Sequence, residues 1–181
     1  DTIRQMVSRA SVVVAGPGLG QSAWSQQMLQ QALMWATATG TPMVLDADAL
    51  NLVAQECDFW QTTSAASVRA GWVLTPHPGE AARLLGLDTQ TIQADRFVAI
   101  RRLQLHTGAV CLLKGAGSLL AFPRDSCIDV CTEGNPGMAT GGMGDILAGI
   151  IGALRAQGLS AADALRCAVC VHGEAADLAV A

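Results

Sequence analysis

Short apolar runs rich in β-branched residues alternate with stretches of helical spacing, and this alternation restricts the fold more than any other feature. The runs lie at residues 11–15, 43–46, 72–75 and 109–113, and the first is followed directly by Gly16. Short runs bounded by turn residues are typical of buried strands. Strands that alternate with helices favour a parallel sheet with helices on both faces. We therefore predict an α/β fold with a mostly parallel sheet.

The remaining elements follow from the same patterns. Residues 119–122 and 128–131 are predicted to pair as a hairpin. The chain of 181 residues contains no linker, charge block or internal repeat, so one domain over 1–181 is expected. Helical spacing predicts helices over residues 2–9, 22–39, 48–54, 80–85, 91–106, 145–156 and 161–179.

Composition excludes several classes of function. Hydrophobic residues make up 51% of the chain and charged residues 14%, which is enough apolar material for a substantial core. The formal net charge of -4, without a run of Lys and Arg, provides no basic face for nucleic acid. No apolar run approaches the ~20 residues that cross a bilayer, and the first residues resemble no targeting signal. We expect a soluble cytoplasmic protein.

The cysteines allow two interpretations. Their spread through the chain favours reduced thiols: Cys57, Cys111, Cys127, Cys131, Cys167 and Cys170. The Cys127/Cys131 and Cys167/Cys170 pairs have spacings that also occur in zinc sites. However, Cys167 and Cys170 lie in a predicted helix, whereas structural zinc pairs normally lie on tight turns. Packing in the core is therefore favoured over zinc.

Loops with polar or glycine residues follow each predicted strand, at residues 16–20, 46–48, 77–80 and 114–117. In parallel α/β sheets, ligands bind beyond the carboxyl ends of the strands, which predicts a binding site at this edge. The first loop is spaced G-x-G-x-G and therefore misses the dinucleotide fingerprint. Lys114 is followed by Gly115 instead of Ser or Thr, so a P-loop is also excluded.

The longest glycine-rich loop, residues 135–145, directly precedes an apolar helix. Backbone N–H groups of Gly141, Gly142 and Gly144 are expected to line an anion hole, which the positive end of the helix strengthens. A carboxylate beside such a hole is repelled, but a base for an attacking hydroxyl belongs there. Asp145 is therefore favoured as the base of a phosphoryl transfer. The alternative is that Asp145 caps the helix.

Other polar residues keep two interpretations each. His77, held between two prolines, is either a substrate contact or an exposed turn residue. Asp46 and Asp48 either contact ligand or form Asx turns and a helix cap. Lys114 either pairs with phosphate or is simply solvated. Two histidines in helical stretches are assigned no role: His106 and His172.

The blocks AGPGLG, DADALN, PHPGE, KGAGS and NPGMATGGMGD occur in this order and extend over nearly the whole chain. They resemble the C-terminal catalytic domain of the ADP/ATP-dependent NAD(P)H-hydrate dehydratases, which are ribokinase-like proteins. The last block is more specific than the Gly-x-Gly-Asp pattern of sugar and vitamin kinases. The resemblance implies a ribokinase-like fold and ADP-dependent dehydration of (6S)-NADHX or NADPHX, the hydrated forms of NADH and NADPH. It also implies Mg²⁺, and it allows ATP in place of ADP.

The resemblance also implies a role for individual residues. Asp145 matches the catalytic base, and the anion hole is again Gly141, Gly142 and Gly144. Positions that match substrate contacts are Gly18, Gly20, His77 and Asp145. Positions that match the nucleotide-binding residues are Lys114, Gly115, Ala116, Gly117, Ser118 and Gly144. Asn135 and Glu80 lie in matching motifs, where ordering of metal or phosphate is expected.

Relatives in this family usually have further strands before the AGPGLG block, and often an NAD(P)HX epimerase domain before those. This chain starts just ahead of the block, so we expect a fragment that lacks N-terminal strands. The relatives are homo-oligomers, and the apolar composition suits one. Two other functions stay open: a kinase for a small alcohol such as a sugar or vitamin precursor, and a non-catalytic nucleotide-binding subunit.

Overall fold

The computed structural model describes residues 2–55 and 69–181. The strands are β1 (Val13–Ala15), β2 (Met43–Leu45), β3 (Val73–Leu74), β4 (Val110–Leu113), β5 (Ser118–Ala121) and β6 (Ile128–Cys131). The helices are α1 (Thr2–Arg9), α2 (Ala23–Thr39), α3 (Ala47–Ala54), α4 (Pro78–Leu85), α5 (Thr89–Ala94), α6 (Arg96–Thr107), α7 (Met143–Ala156) and α8 (Ala161–Leu178). A short 3₁₀ turn spans Pro136–Met138.

The strands form one sheet in the order β1-β2-β3-β4-β5-β6. The strands from β1 to β4 are parallel, with Val44 opposite both Val14 and Val73. β5 and β6 continue the sheet as an antiparallel pair. The mostly parallel sheet and the hairpin are thus confirmed. The carboxyl ends of β1 to β4 lie along one edge, where the predicted ligand loops begin.

Apolar layers cover both faces of the sheet. Successive strand residues point to opposite faces, so Val44 packs in one layer and Leu45 in the other. The layer around Leu45 includes apolar residues of α2, α3, α4 and α6. The layer around Val44 includes Leu147 of α7 and Leu165 of α8. Helices therefore cover both faces, as predicted, and α7 lies against β1 and β2.

One predicted helix, over residues 91–106, is wrong because the chain forms two helices there. The break is at Asp95, whose backbone is extended (φ -147°, ψ 90°). Its Oδ1 atom accepts a hydrogen bond from the backbone N of Val98 at 2.9 Å. An aspartate side chain can replace a helical backbone partner, so it starts a helix more readily than it continues one. The helical spacing on either side concealed this break.

The prediction that the paired cysteines pack in the core is wrong for three of them. Cys127, Cys167 and Cys170 are exposed, whereas Cys111 and Cys131 are buried. The buried face of α8 is instead a stripe of small and aliphatic residues that includes Leu165, Ala168 and Val169. Spacing by three places two cysteines on one side of a helix, but it does not say which side packs inward. Cys57 lies outside the described residues.

In the part of the chain that the structure describes, no helix combines the length and the apolar character that crossing a membrane requires.

Candidate active site

A cavity of about 690 Å³ lies at the carboxyl ends of β3 and β4. The loop after β6 and residues of α7 and α8 complete its walls. Its volume is within the range of about 300–1,000 Å³ that is typical of small-molecule sites. The cavity thus lies at the edge of the sheet where the sequence predicted a ligand site.

All the predicted nucleotide-binding residues, 114–118 and Gly144, line this cavity. A residue that sequence reasoning missed, Arg96, supports the segment 114–118. Its Nη1 atom donates to the carbonyl oxygen of Ala116 at 2.7 Å, and Nη2 donates to that of Leu113 at 3.3 Å. A Cβ atom on Gly115 would lie 2.8 Å from Nη2 of Arg96, so the glycine permits this close contact. No local pattern links Arg96 to a loop that distant in the sequence.

Lys114 forms an ion pair with Asp46 beneath the first turn of α7. Its Nζ atom donates to Oδ1 of Asp46 at 2.7 Å, and the two side chains are 22% and 1% exposed. A Cβ atom on Gly144 would lie only 3.1 Å from that Nζ atom. The interpretation of Lys114 as a simply solvated lysine is therefore wrong. Its ammonium group is held close to the predicted anion hole.

The glycine loop begins α7 at Met143, so the helix cap is Gly142 (φ 90°, ψ -18°). That backbone conformation is one that L side chains rarely adopt. The alternative that Asp145 caps the helix is wrong, because Asp145 lies inside the first turn. Its side chain is exposed and takes part in no hydrogen bond with the described residues. Gly144 lines the cavity, whereas Gly141, Gly142 and Asp145 do not.

The predicted substrate contacts Gly18 and Gly20 lie in an exposed loop after β1, outside the cavity. Asp48 positions this loop, because its Oδ2 atom accepts a hydrogen bond from the backbone N of Gly20 at 2.9 Å. Its Oδ1 atom accepts another from Nε2 of Gln21 at 3.1 Å. Asp46 makes no side-chain cap bond to α3. The two aspartates therefore bind different loops instead of forming the cap and turn that the sequence allowed.

His77 lines the cavity beside residues 114–118 with its side chain 50% exposed. Its Nδ1 atom accepts a hydrogen bond from the backbone N of Gly79 at 3.0 Å. Oε2 of Glu80 accepts from the backbone N of His77 at 2.9 Å, and Oε1 lies 3.3 Å from Nε2 of the imidazole. This reciprocal cap starts α4 and fixes the ring at the cavity wall. Glu80 therefore positions His77.

Asn135 likewise holds protein groups in place. Its Nδ2 atom donates to the carbonyl oxygen of Ala176 at 2.9 Å and to Oδ1 of Asp177 at 3.0 Å. Its Oδ1 atom accepts from the backbone N of Gly137 at 3.0 Å. The side chain thus joins the loop after β6 to the end of α8. The structure gives Asn135 a role in shaping the cavity wall.

His172, to which the sequence assigned no role, lines the cavity with only 9% of its surface exposed. Its Nε2 atom is buried and has no hydrogen-bond partner among the described residues. Burial lowers the pKa of His172 from its ordinary value of 6.5. The ring is therefore mainly neutral at pH 7. The sequence did not indicate that His172 lines a cavity, because its spacing is that of any residue in a helix.

Comparison with known proteins identifies the family. The family model described as NAD(P)H-hydrate dehydratase matches residues 1–181. The chain belongs to this family. The NAD(P)H-hydrate dehydratase resemblance drawn from the sequence blocks is thereby confirmed.

Among NAD(P)H-hydrate repair proteins, the bifunctional enzyme of Coxiella burnetii is 49% identical over 179 residues, which are 99% of this chain. Those residues are 34% of that relative, so the chain spans about a third of its length. Solved structures also match. The ADP/ATP-dependent NAD(P)H-hydrate dehydratase from Bacillus subtilis, co-crystallized with ATP/Mg²⁺, has a TM-score of 0.78 and 28% identity, over 98% of this chain and 61% of that one.

A ribokinase-like superfamily protein from Enterococcus faecalis has a TM-score of 0.82 and 32% identity. The match includes 99% of this chain and 59% of that one. The ribokinase-like fold predicted for this member of the NAD(P)H-hydrate dehydratase family is confirmed.

Proposed function

We propose that this chain catalyses the ADP-dependent dehydration of (6S)-NADHX and NADPHX and so regenerates NADH and NADPH. The observation that carries the proposal is the position of Lys114. Its ammonium group lies at Gly144 and belongs to a segment, residues 114–118, that lines the same cavity. A cation, a helix N-terminus and a glycine loop at one point are suited to a phosphoryl group. Family membership favours the dehydratase over a small-alcohol kinase.

The cavity is proposed to hold the adenine nucleotide, ADP or in its place ATP. Residues 114–118 line one wall and Gly144 another, so the phosphates would lie between them, near Nζ of Lys114. Asp46 keeps that ammonium group from turning into the solvent. Backbone N–H groups of Gly141 and Gly142 would then receive the terminal phosphoryl group beside the start of α7.

Asp145 is proposed as the base. Because its carboxylate accepts no hydrogen bond from the described residues, its oxygens are available to take the proton of the substrate hydroxyl. The hydroxyl oxygen attacks the terminal phosphorus of ADP, and the bond from that phosphorus to AMP breaks. Phosphate then leaves the ring carbon with its bonding electrons, assisted by the lone pair of the ring nitrogen. Loss of a proton from the adjacent ring carbon restores the double bond.

The substrate is proposed to meet Asp145 from the side of the loop that contains Gly18 and Gly20. Asp48 holds the backbone N of Gly20 in place there. His77, which the sequence also predicted as a substrate contact, would touch the bound molecules from the cavity wall. These contacts remain proposals.

Mg²⁺ has no protein cage in the described part of the chain. The single group of three acidic, histidine or cysteine ligands found there contains two cysteines, whereas Mg²⁺ prefers oxygen ligands. The described residues therefore do not fit a resident magnesium ion, and Mg²⁺ would enter bound to the nucleotide phosphates. An N-terminal epimerase domain and a homo-oligomer also remain predictions. The bifunctional name of the Coxiella burnetii relative supports the former.

The test follows NADH absorbance after the protein is mixed with ADP, Mg²⁺ and NADHX. We expect Asp145→Asn to lower turnover by about 10²–10⁴-fold, the usual contribution of a general base. Asp163→Asn is the matched control, because Asp163 occupies the first turn of α8 as Asp145 does that of α7. The control should leave turnover near normal.

Other outcomes distinguish the alternatives. Near-normal turnover of a folded Asp145→Asn variant would exclude Asp145 as the base. A stable phosphorylated product from a small alcohol, without NADH formation, would indicate a kinase. Binding of ADP with neither reaction would indicate a nucleotide-binding subunit.

A further inference from the structure

The end of β6, the loop after it and α8 bring two thiols and a carboxylate together at the cavity wall. Sγ of Cys131, Sγ of Cys170 and a carboxylate oxygen of Glu133 all lie within 4.8 Å of one another. Sγ of Cys131 donates a hydrogen bond to Oε2 of Glu133 at 3.0 Å. Cys131 therefore approaches Cys170 of α8, not Cys127, the partner that sequence spacing suggested.

We propose that Cys131, Glu133 and Cys170 form a binding site for a thiophilic divalent cation such as Zn²⁺. Two thiolates and a carboxylate are ligands that Zn²⁺ prefers, with distances of about 2.3 Å to sulfur and about 2.0–2.2 Å to oxygen. Two sulfurs bound to one ion therefore lie at most about 4.6 Å apart. The present atoms, all within 4.8 Å of one another, already lie close to that limit. Three protein ligands leave the fourth tetrahedral position to water or to a molecule in the cavity.

The backbone around the group is already held in place. Asp177 of α8 accepts a hydrogen bond from the backbone N of Gly134 at 2.8 Å and another from Asn135 at 3.0 Å. These bonds fix the loop that carries Glu133 against the helix that carries Cys170. Asp177 also places a second negative charge near Glu133. The negative surroundings favour a cation.

An ion has a route to this site. Cys131 and Glu133 line the cavity, so the ion would lie in its wall. Cys170 and Glu133 are exposed, which allows entry from the solvent. Burial, together with the hydrogen bond to Glu133, raises the pKa of Cys131 to about 12. A bound ion would replace this thiol proton.

The ligands of this site differ from those that bind Mg²⁺ beside a nucleotide. Thiolates select zinc-like ions, whereas Mg²⁺ requires oxygen ligands in octahedral geometry. The proposal also stands apart from the proposed function, because the bound ion can be observed without an activity assay.

The experiment titrates the fully reduced protein with Cd²⁺, a spectroscopic substitute for Zn²⁺, and follows the thiolate-to-metal charge-transfer band. We expect one ion per chain with absorbance from two thiolates, and no displacement by excess Mg²⁺. Loss of an outer partner of a metal ligand already costs about 10–100-fold in affinity, so Cys170→Ser should weaken binding at least about tenfold. Glu133→Gln should weaken it less, and Cys167→Ser is the matched control.

Cys167 is exposed one turn earlier on the same helix and should be neutral. Cys170 is also exposed, so its serine variant should fold, which circular dichroism verifies. Unchanged Cd²⁺ affinity in Cys170→Ser would overturn the proposal. Equal loss in Cys167→Ser would also overturn it, because the ion would then lie on the outer face of α8. Displacement by Mg²⁺, or the absence of a charge-transfer band, would contradict it as well.

Discussion

Two glycine-containing loops that follow parallel strands have different surroundings in this molecule. Residues 114–118 follow β4 and lie in the wall of a cavity of about 690 Å³. Residues 16–20 follow β1, and their glycines Gly18 and Gly20 are exposed. Arg96 supports residues 114–118 through the carbonyl groups of Ala116 and of Leu113, the residue just before them. Asp48 holds residues 16–20 through the backbone N–H group of Gly20. In this protein, a glycine-containing loop lines a cavity where neighbouring elements enclose it, and it stays exposed where they do not.

The largest expected effect comes from a substitution at Gly16, the first residue of the loop 16–20. A Cβ atom on Gly16 (φ 125°) would lie 1.7 Å from the carbonyl oxygen of Asp46. We expect Gly16→Ala to lower the free energy of unfolding by at least about 3 kcal/mol, from strain and overpacking together. Denaturant unfolding measures the change. Gly18→Ala is the control, because no atom lies within 4 Å of its added Cβ. Its backbone strain alone should cost about 1–2 kcal/mol, and equal losses in the two variants would refute the steric argument.

The next effect concerns the ion pair that joins Lys114 of the loop 114–118 to Asp46, the residue whose carbonyl oxygen lies against Gly16. Lys114→Ala leaves the carboxylate of Asp46, which is 1% exposed, without its cation, whereas Asp46→Ala leaves an ammonium group that water still reaches. We expect Lys114→Ala to cost about 3 kcal/mol or more, and Asp46→Ala about 1–2 kcal/mol. Thermal or denaturant unfolding compares them. The opposite order would show that Asp46 is solvated in solution. Lys114→Ala should also weaken ADP binding.

A smaller effect tests whether the two loops contact different ligands. Arg96→Ala removes one hydrogen bond to Ala116 in the segment 114–118 and one to Leu113, the residue just before it. We expect this to weaken ADP binding about tenfold, which corresponds to about 1.4 kcal/mol. Calorimetry measures the affinity, with the exposed Arg102 of the same helix replaced by Ala as control. Asp48→Ala should instead raise the KM for NADHX a few-fold and leave ADP binding unchanged. If Asp48→Ala weakens ADP binding equally, the two loops do not serve separate ligands.

The smallest expected effect is a pH dependence of the free energy of unfolding, which comes from His172 in the cavity wall. Because burial lowers the pKa of His172 from its ordinary value of 6.5, the unfolded chain takes up a proton at a higher pH than the folded protein. The free energy of unfolding therefore falls as pH drops below about 6.5. His172→Leu should reduce this slope. His106 should preserve part of it, since burial and then the charge of Arg69 lower its pKa too. If the free energy of unfolding of His172→Leu depended on pH as strongly as that of the parent, water would have to solvate the imidazole in the folded protein.

The sequence predicted strands and most helices closely. The predicted strand 109–113 is β4 at Val110–Leu113, and the predicted helix 161–179 is α8 at Ala161–Leu178. These elements depend on local patterns of β-branched and apolar residues. The split at Asp95 was missed because a side-chain cap interrupts the helix without disturbing its apolar spacing. The orientation of Cys167 and Cys170 was missed because it depends on the rotation of α8 against the sheet.

The candidate site divides in the same way. The sequence identified residues 114–118, Gly144 and His77, and the structure places all of them around one cavity. Their chemical roles remain proposals. Arg96 and His172 were missed, because each acts on residues far from it along the chain.

By itself, the sequence determined the order of strands and helices, the glycine loops at the strand ends and the family to which the chain belongs. These properties follow from short segments, whose spacing and turn residues act locally. Only the tertiary structure decided that Lys114 pairs with Asp46, that Asp48 holds Gly20 and that Cys131 meets Cys170. Such contacts depend on which strands are neighbours and on how each helix is rotated against the sheet. The packing of the whole core sets that rotation, and no short segment encodes it.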